Sequence, residues 1–201
     1  MRNPARCGSP APWGSRSRGR PAALGELAFV SIGSNLDPEH NLPRAVDRLR
    51  QLGRLRGISG VYQNPAIGGR PQPDYLNAAV LLEVDRPPDA LRAELRRIEA
   101  ELGRVRTSDK YAPRTIDLDL SLFGDQIQRG PGFQIPDPGI TRLAHLAIPL
   151  AELAPEYRHP ELGETLAEIA DRLRAGSKLV PRPDLSQEIN GLLAAAGDNG
   201  R

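Results

Sequence analysis

Apolar and polar positions along this chain repeat with two different periods, and the switches between them mark its elements. Residues 27–32, LAFVSI, form an apolar run of strand length, closed by Gly33-Ser34-Asn35. Leu42, Ala45, Val46, Leu49 and Leu52 then recur at helical spacing, with Asn41 as the predicted N-cap, Pro43 in the first turn and Gly53 at the end. A second strand is predicted over Ile58 to Gln63, a Pro- and Gly-rich loop over NPAIGGRPQPD (64–74), and a third strand over YLNAAVLLEV (75–84). After Pro87-Pro88, the stripe Leu91, Leu95, Ile98 and Leu102 predicts a second helix that stops at Gly103. A cationic loop, RVRTSDKYAP (104–113), feeds a fourth strand.

The order β-α-β-β-α-β predicts an α/β (α+β) ferredoxin-like sandwich: an antiparallel sheet with both helices on one face and the other face free for a site. Residues 140–175 read as additional C-terminal helices interrupted near Pro149, Pro155 and Pro160, able to cover part of that free face. The expected organisation is a disordered Arg/Pro/Gly-rich extension over 1–26, a principal domain over 27–175, and a loose tail over 176–201 with a short helix at QEINGLLAAA.

The fourth strand carries the question. In APRTIDLDLSLFG (112–124), Ile116, Leu118, Leu120 and Leu122 alternate with Thr115, Asp117, Asp119 and Ser121, so a regular strand puts the apolar side chains on one face and the oxygens on the other. Two carboxylates at i and i+2 lie about 7 Å apart on that face and repel unless something neutralises them. A solvated strand whose acids pair with nearby arginines is one answer. A divalent cation is another, since Mg²⁺ takes one or two carboxylates and fills its other positions with water and phosphate oxygens. Arg104, Arg106, Lys110 and Arg114 lie just upstream, and guanidinium groups beside a metal site suit phosphoryl transfer.

Charge and composition narrow the alternatives. The formal net charge is +2, but residues 1–26 hold five arginines against Glu26, leaving 22 basic and 24 acidic groups in the rest of the chain. A nucleic-acid surface is therefore not expected, and three Phe with four Tyr are few for a sheet that stacks RNA bases. One cysteine, Cys7, excludes an intrachain disulfide. No run has the length or apolarity of a membrane span or secretory signal, so a cytoplasmic monomer with no membrane partner is the expectation.

Four stretches, FVSIGSNL (29–36), VYQNPAIGGRPQPDYLNAAV (61–80), RIEAELGRVR (97–106) and KYAPRTIDLDLSLFG (110–124), resemble the 6-hydroxymethyl-7,8-dihydropterin pyrophosphokinase family in order, spacing and letters, with Ser121 where an aliphatic residue is usual. The resemblance implies ATP-dependent transfer of pyrophosphate to the pterin hydroxymethyl group in folate biosynthesis, releasing AMP. It implies two Mg²⁺ ions on Asp117 and Asp119, loop arginines Arg104 and Arg106 closing over the phosphates, and Arg114 beside the reacting groups. Nucleotide contacts map to Glu99, Lys110 and Leu120 together with those arginines. Pterin contacts map to Asn35, Asn64, Pro65, Ile67, Tyr75, Asn77 and Tyr111.

The match departs downstream. Where the family commonly has a histidine, an arginine and a phenylalanine, this chain has Asp137, Leu143 and His145. His145 supplies a flat ring opposite Tyr75 on this reading, and Arg142 is the nearest substitute for the absent arginine. A family member with weakened catalysis that binds pterin or nucleotide is the alternative these departures motivate.

Overall fold

The computed structural model describes residues 25–66, 71–106, 109 and 112–197; of the extension expected over 1–26, residues 1–24 lie outside the described residues, and Glu26 belongs to the first strand, where it pairs with Val84. β1 (Glu26–Ser34) leads into α1 (Pro38–Leu49), and β2 (Arg54–Ile58) and β3 (Tyr62–Asn64) return to β4 (Tyr75–Val84). α2 (Pro88–Glu101) crosses to β5 (Asp117–Phe123). The strand order is β5-β1-β4, with β2 and β3 pairing along the same edge of β4, all antiparallel. This is the expected ferredoxin-like α+β arrangement.

Several boundaries differ from the sequence reading, each for an identifiable reason. The single strand expected at 58–63 is two. At the break, Ser59 bonds Ala79 through both its amide and its hydroxyl, Gly60 N donates to Glu152, and Val61 N donates to the Ser186 hydroxyl. These partners take the backbone out of a regular ladder without leaving it unsatisfied. Helix α1 starts at Pro38 behind Asp37, and Asn41 is a buried residue inside it whose amide donates to Leu36 O rather than a cap. A hairpin of β6 (Gln128–Gly130) and β7 (Phe133–Ile135), turning at Gly132 with φ +76°, was not read from the sequence.

The alternation in β5 is also interrupted. Val30 pairs with Leu120 but its neighbour Phe29 pairs with Leu122, so a bulge at Ser121 shifts the register. Leu118 and Leu120 join one core, whereas Leu122 crosses to the other. Ser121, at the shift, is buried and shares a 2.6 Å hydrogen bond with Ser31.

The two cores lie on opposite faces of the sheet. Val30, Ile32 and Leu82 pack with Leu42 and Leu49 of α1 and with Leu91, Leu95 and Ile98 of α2. Burying each such side chain contributes roughly 1.5–3 kcal/mol before the entropy of ordering it. Phe29, Leu81 and Leu122 pack instead with α3 (Ala144–Leu153) and α4 (Leu166–Arg174), and Tyr157 meets Phe29 edge to face at 4.8 Å. Thr165 and Glu168 form a reciprocal capping box that starts α4. The second face is thus covered at one end only. The segment after 176 is not loose where it is described: β8 (Val180–Pro181) pairs with β3, and α5 (Pro183–Gly197) buries Leu185 and Ile189 in the α1–α2 core.

Candidate active site

The uncovered end of the second face holds the residues of interest because the sheet register brings them into rows. Asn77, Gly33 and Asp117 are paired across β4, β1 and β5, and Ala79, Ser31 and Asp119 form the next row. Gly33 leaves room between them: a Cβ there would come 3.2 Å from Asn77 Oδ1 and press on that amide. Asp117 and Asp119 therefore share a face with Asn77 two strands away.

A cavity of about 350 Å³ opens over these rows, lined by Asn64, Tyr75, Asn77, Arg114, Asp117 and Asp119, with His145 from the first turn of α3. Asn77 Nδ2 donates to Asn64 Oδ1 at 2.5 Å, which orients both amides at the wall. Burial pushes the Tyr75 hydroxyl above its usual range and holds His145 below the usual histidine range, against the opposing pull of Asp137. His145 is thus a neutral ring at neutral pH. A second cavity, about 470 Å³, lies on the α2 side of β5 and is lined by Arg106, Leu120 and Asp119 among others. Asp119 and Asp137 border both spaces.

The two strand carboxylates differ in their surroundings. Asp117 is ion-paired to Arg114 and, at 3.2 Å, to Arg104. Asp119 is exposed to solvent where the two cavities open, with protein packed closely on its remaining sides. Burial, then the charges of Asp117, Asp137 and Glu99, push it up to about 7, with Arg114 opposing. Two of these three carboxylates are fixed in place by hydrogen bonds. Glu99 is 1% exposed, and one oxygen accepts the Leu118 amide at 2.9 Å while the other pairs with Arg106. Asp137 Oδ1 accepts the Gly139 amide at 2.6 Å.

These groups fit a hard divalent cation at Asp119 and Asp117, since a positive charge would reverse the repulsion that raises Asp119. Among the described residues no three His, Cys, Asp or Glu side chains converge as a full ligand set. Two carboxylates suit an ion that takes its remaining ligands from phosphate and water.

Most of the site residues read from the sequence converge here, and the exceptions are informative. Asn35 is buried behind the cavity, where its oxygen accepts the Arg114 amide at 2.7 Å and its nitrogen donates to Gln72 and Pro73; it ties loops together and does not line the cavity. Glu99 lies beneath β5 rather than in either cavity wall. Pro65 borders a neighbouring surface cleft with Arg142, whose Nε donates to Pro138 O, so Arg142 lines neither of the two spaces at Asp119. Leu143, at the absent arginine's position, contributes an apolar wall. Ile67, Lys110 and Tyr111 lie outside the described residues. Ser31 and Gly33, which line the first cavity, and Arg92, Arg96, Phe133 and Gln134, which line the second, were missed. Their only sequence signal was the helical spacing of the two arginines.

A family model for 7,8-dihydro-6-hydroxymethylpterin-pyrophosphokinase matches residues 29–155. Among similar proteins, the Pseudomonas aeruginosa 2-amino-4-hydroxy-6-hydroxymethyldihydropteridine pyrophosphokinase is 36% identical over 147 residues, covering 72% of this chain and 90% of that one. The Synechocystis protein of the same name is 35% identical over 149 residues, covering 73% and 75%. The fold is similar to that of a Plasmodium falciparum HPPK-DHPS structure, with a TM-score of 0.61 at 12% identity; the match covers 75% of this chain and spans 45% of the length of that one. With the family model extending over more than half of its length and bacterial relatives matched along most of theirs, this chain belongs to the 7,8-dihydro-6-hydroxymethylpterin-pyrophosphokinase family.

Proposed function

We propose that the protein transfers the β,γ-pyrophosphoryl group of ATP to the hydroxymethyl oxygen of 6-hydroxymethyl-7,8-dihydropterin, giving the pterin diphosphate and AMP in folate biosynthesis. The observation that carries this reading is the row Asn77–Gly33–Asp117, which sets an oriented amide beside the carboxylate strand within one cavity. An amide presents a donor and an acceptor together, as a pterin edge requires. Tyr75 and His145 line the same cavity as flat rings between which a heterocycle can stack.

The second cavity takes the nucleotide, with Arg106 and Leu120 in its wall and the triphosphate directed toward Asp119. Asp117 and Asp119 would hold Mg²⁺, two ions on the family pattern, and the metal would supply Lewis-acid neutralisation of the phosphate charge. Arg104 and Arg114 neutralise Asp117 in the ligand-free chain, and as guanidinium groups beside the carboxylates they would be available to phosphate oxygens once a cation held Asp117. Glu99 acts from below as a positioning residue, by holding both the Leu118 amide and Arg106. Loop closure over the phosphates excludes water and so disfavours hydrolysis. The protein works as a cytoplasmic monomer in this reading. Among the described residues no helix is long and apolar enough to cross a membrane.

Incubation with ATP, Mg²⁺ and the hydroxymethyl-dihydropterin should yield AMP in proportion to pterin consumed, and Asp119→Ala should abolish it while circular dichroism is unchanged. Absence of AMP under conditions where the Pseudomonas relative turns over sinks the reading. A second reading, binding without efficient turnover, is favoured by Asp137 and Leu143 at the two altered positions. It predicts pterin and nucleotide heats in calorimetry with no AMP.

A further inference from the structure

The pterin cavity adjoins a cleft that the pyrophosphokinase reading does not use. The cleft has a volume of about 540 Å³, and Asn64, Leu143 and His145 line both spaces, so the two meet along these side chains. Its floor is apolar, with Ala144, Leu173 and Leu179 partly buried against the α3–α4 core. Its cations are Arg142, Arg172 and Lys178, and among the described residues no carboxylate lines it. Glu164 holds Arg172 at 2.7 Å, which leaves Arg142 and Lys178, both exposed, as the uncompensated charges. Leu143 also brings the cleft close to the reacting groups. A Cβ on Gly139 would lie 3.0 Å from Asp137 Oδ1 and 3.2 Å from Leu143 Cδ1, so this leucine stands next to the carboxylate that borders both spaces at Asp119.

We propose that this cleft binds the arm of a pterin that carries an aryl carboxylate, the form taken by products further along folate biosynthesis, so that such a product competes with the substrate for the pterin cavity. The inference rests on the pyrophosphokinase reading and extends it to regulation of the same site. The arm leaves the pterin at the carbon that bears the hydroxymethyl group in the substrate, hence toward Asp119 and its neighbour Asp137. From there Leu143 provides an apolar step into the cleft. The aryl ring lies over Leu143, Leu173 and Leu179, which removes apolar surface from water on both sides. The carboxylate meets the planar fork of Arg142 and the ammonium of Lys178 beyond that floor. A substrate with a bare hydroxymethyl group reaches none of these residues.

Calorimetry with two probes isolates the arm: 6-methyl-7,8-dihydropterin, which lacks it, and 7,8-dihydropteroate, which has it, both without nucleotide. The wild type should bind dihydropteroate about tenfold more tightly, the scale of burying part of one aromatic ring. Arg142→Ala and Lys178→Ala should each weaken dihydropteroate roughly threefold, the scale of an exposed charge pair, and leave methyl-dihydropterin unchanged. Raising the ionic strength from about 0.1 M to about 1 M should shrink the difference between the probes, because exposed charges are screened. In turnover, dihydropteroate should raise the KM for hydroxymethyl-dihydropterin without lowering kcat. Equal affinity for the two probes in the wild type overturns the proposal, and so does dihydropteroate binding that neither truncation changes. Truncations that weaken both probes alike would assign the two cations to support of the pterin cavity and overturn it too. In each of these outcomes the wild-type protein still forms AMP; if it forms none and binds neither probe, the pyrophosphokinase reading fails instead.

Discussion

Glu99, on the second helix, accepts the amide of Leu118 at 2.9 Å, and that amide belongs to the residue between the two strand carboxylates. β5 is an edge strand, so this donor would otherwise face the interior without a ladder partner. The same carboxylate pairs through its other oxygen with Arg106, which lines the cavity on the α2 side of β5. One buried side chain thereby links the carboxylate strand to the loop that carries Arg106.

Glu99→Gln keeps an oxygen for Leu118 and loses the charge toward Arg106. We expect a raised KM for ATP with near-normal urea stability. Glu99→Ala loses both bonds and should cost about 1–3 kcal/mol of stability as well as turnover. If the two variants unfold at the same urea concentration, the Leu118 bond contributes nothing.

Asp119 sets a pH dependence. Its carboxyl is pushed up to about 7 in the folded chain, from an ordinary value of 3.8. Between those values the folded chain binds more protons than the unfolded one, so stability falls as pH rises through the window. Asp119→Asn removes that penalty. In metal-free buffer its melting temperature should exceed the wild type's at pH 8, by a margin that shrinks as pH is lowered through 7 toward 4. A margin identical at pH 8 and pH 5 would remove the electrostatic explanation.

Arg104 competes with a cation for Asp117. It holds that carboxylate at 3.2 Å, and its own Nε is buried with no hydrogen-bond partner among the described residues. Arg104→Ala should therefore bind Mg²⁺ alone more tightly than wild type, yet bind the Mg²⁺–ATP complex more weakly. Parallel losses in both titrations would show that Arg104 supports the metal site rather than competing with it.

The C-terminal helix is part of the core. Ile189 is fully buried against the α1–α2 layer, and truncation to Ala should cost about 2–5 kcal/mol. Chemical denaturation measures this directly. A cost near zero would mean that α5 is only loosely attached.

Much of the fold follows from local pattern. The third strand and second helix lie where the sequence pattern places them, because a strand buried on both faces reads as a continuous apolar run and an amphipathic helix as a stripe. The C-terminal segment was harder to read: Leu185, Ile189 and Leu192 stand at helical spacing, but the surface they pack on is assembled from α1 and β2, far away in the chain. The β5 bulge was illegible for a related reason. Ser121 reads as one more polar position in an alternating strand, and only the pairing with β1 reveals the shift.

The sequence by itself determined that Asp117 and Asp119 share one face of a strand, that arginines precede them, and that the chain carries the motifs of its family. Local geometry suffices there, because residues two apart on a strand point the same way whatever surrounds them. Only the tertiary structure decided how the carboxylates differ, with Asp117 compensated by Arg104 and Arg114 while Asp119 is left among Asp117, Asp137 and Glu99. Those neighbours come from a helix, a loop and the strand itself, and the Coulomb energy depends on their distance in space, which no order of residues states.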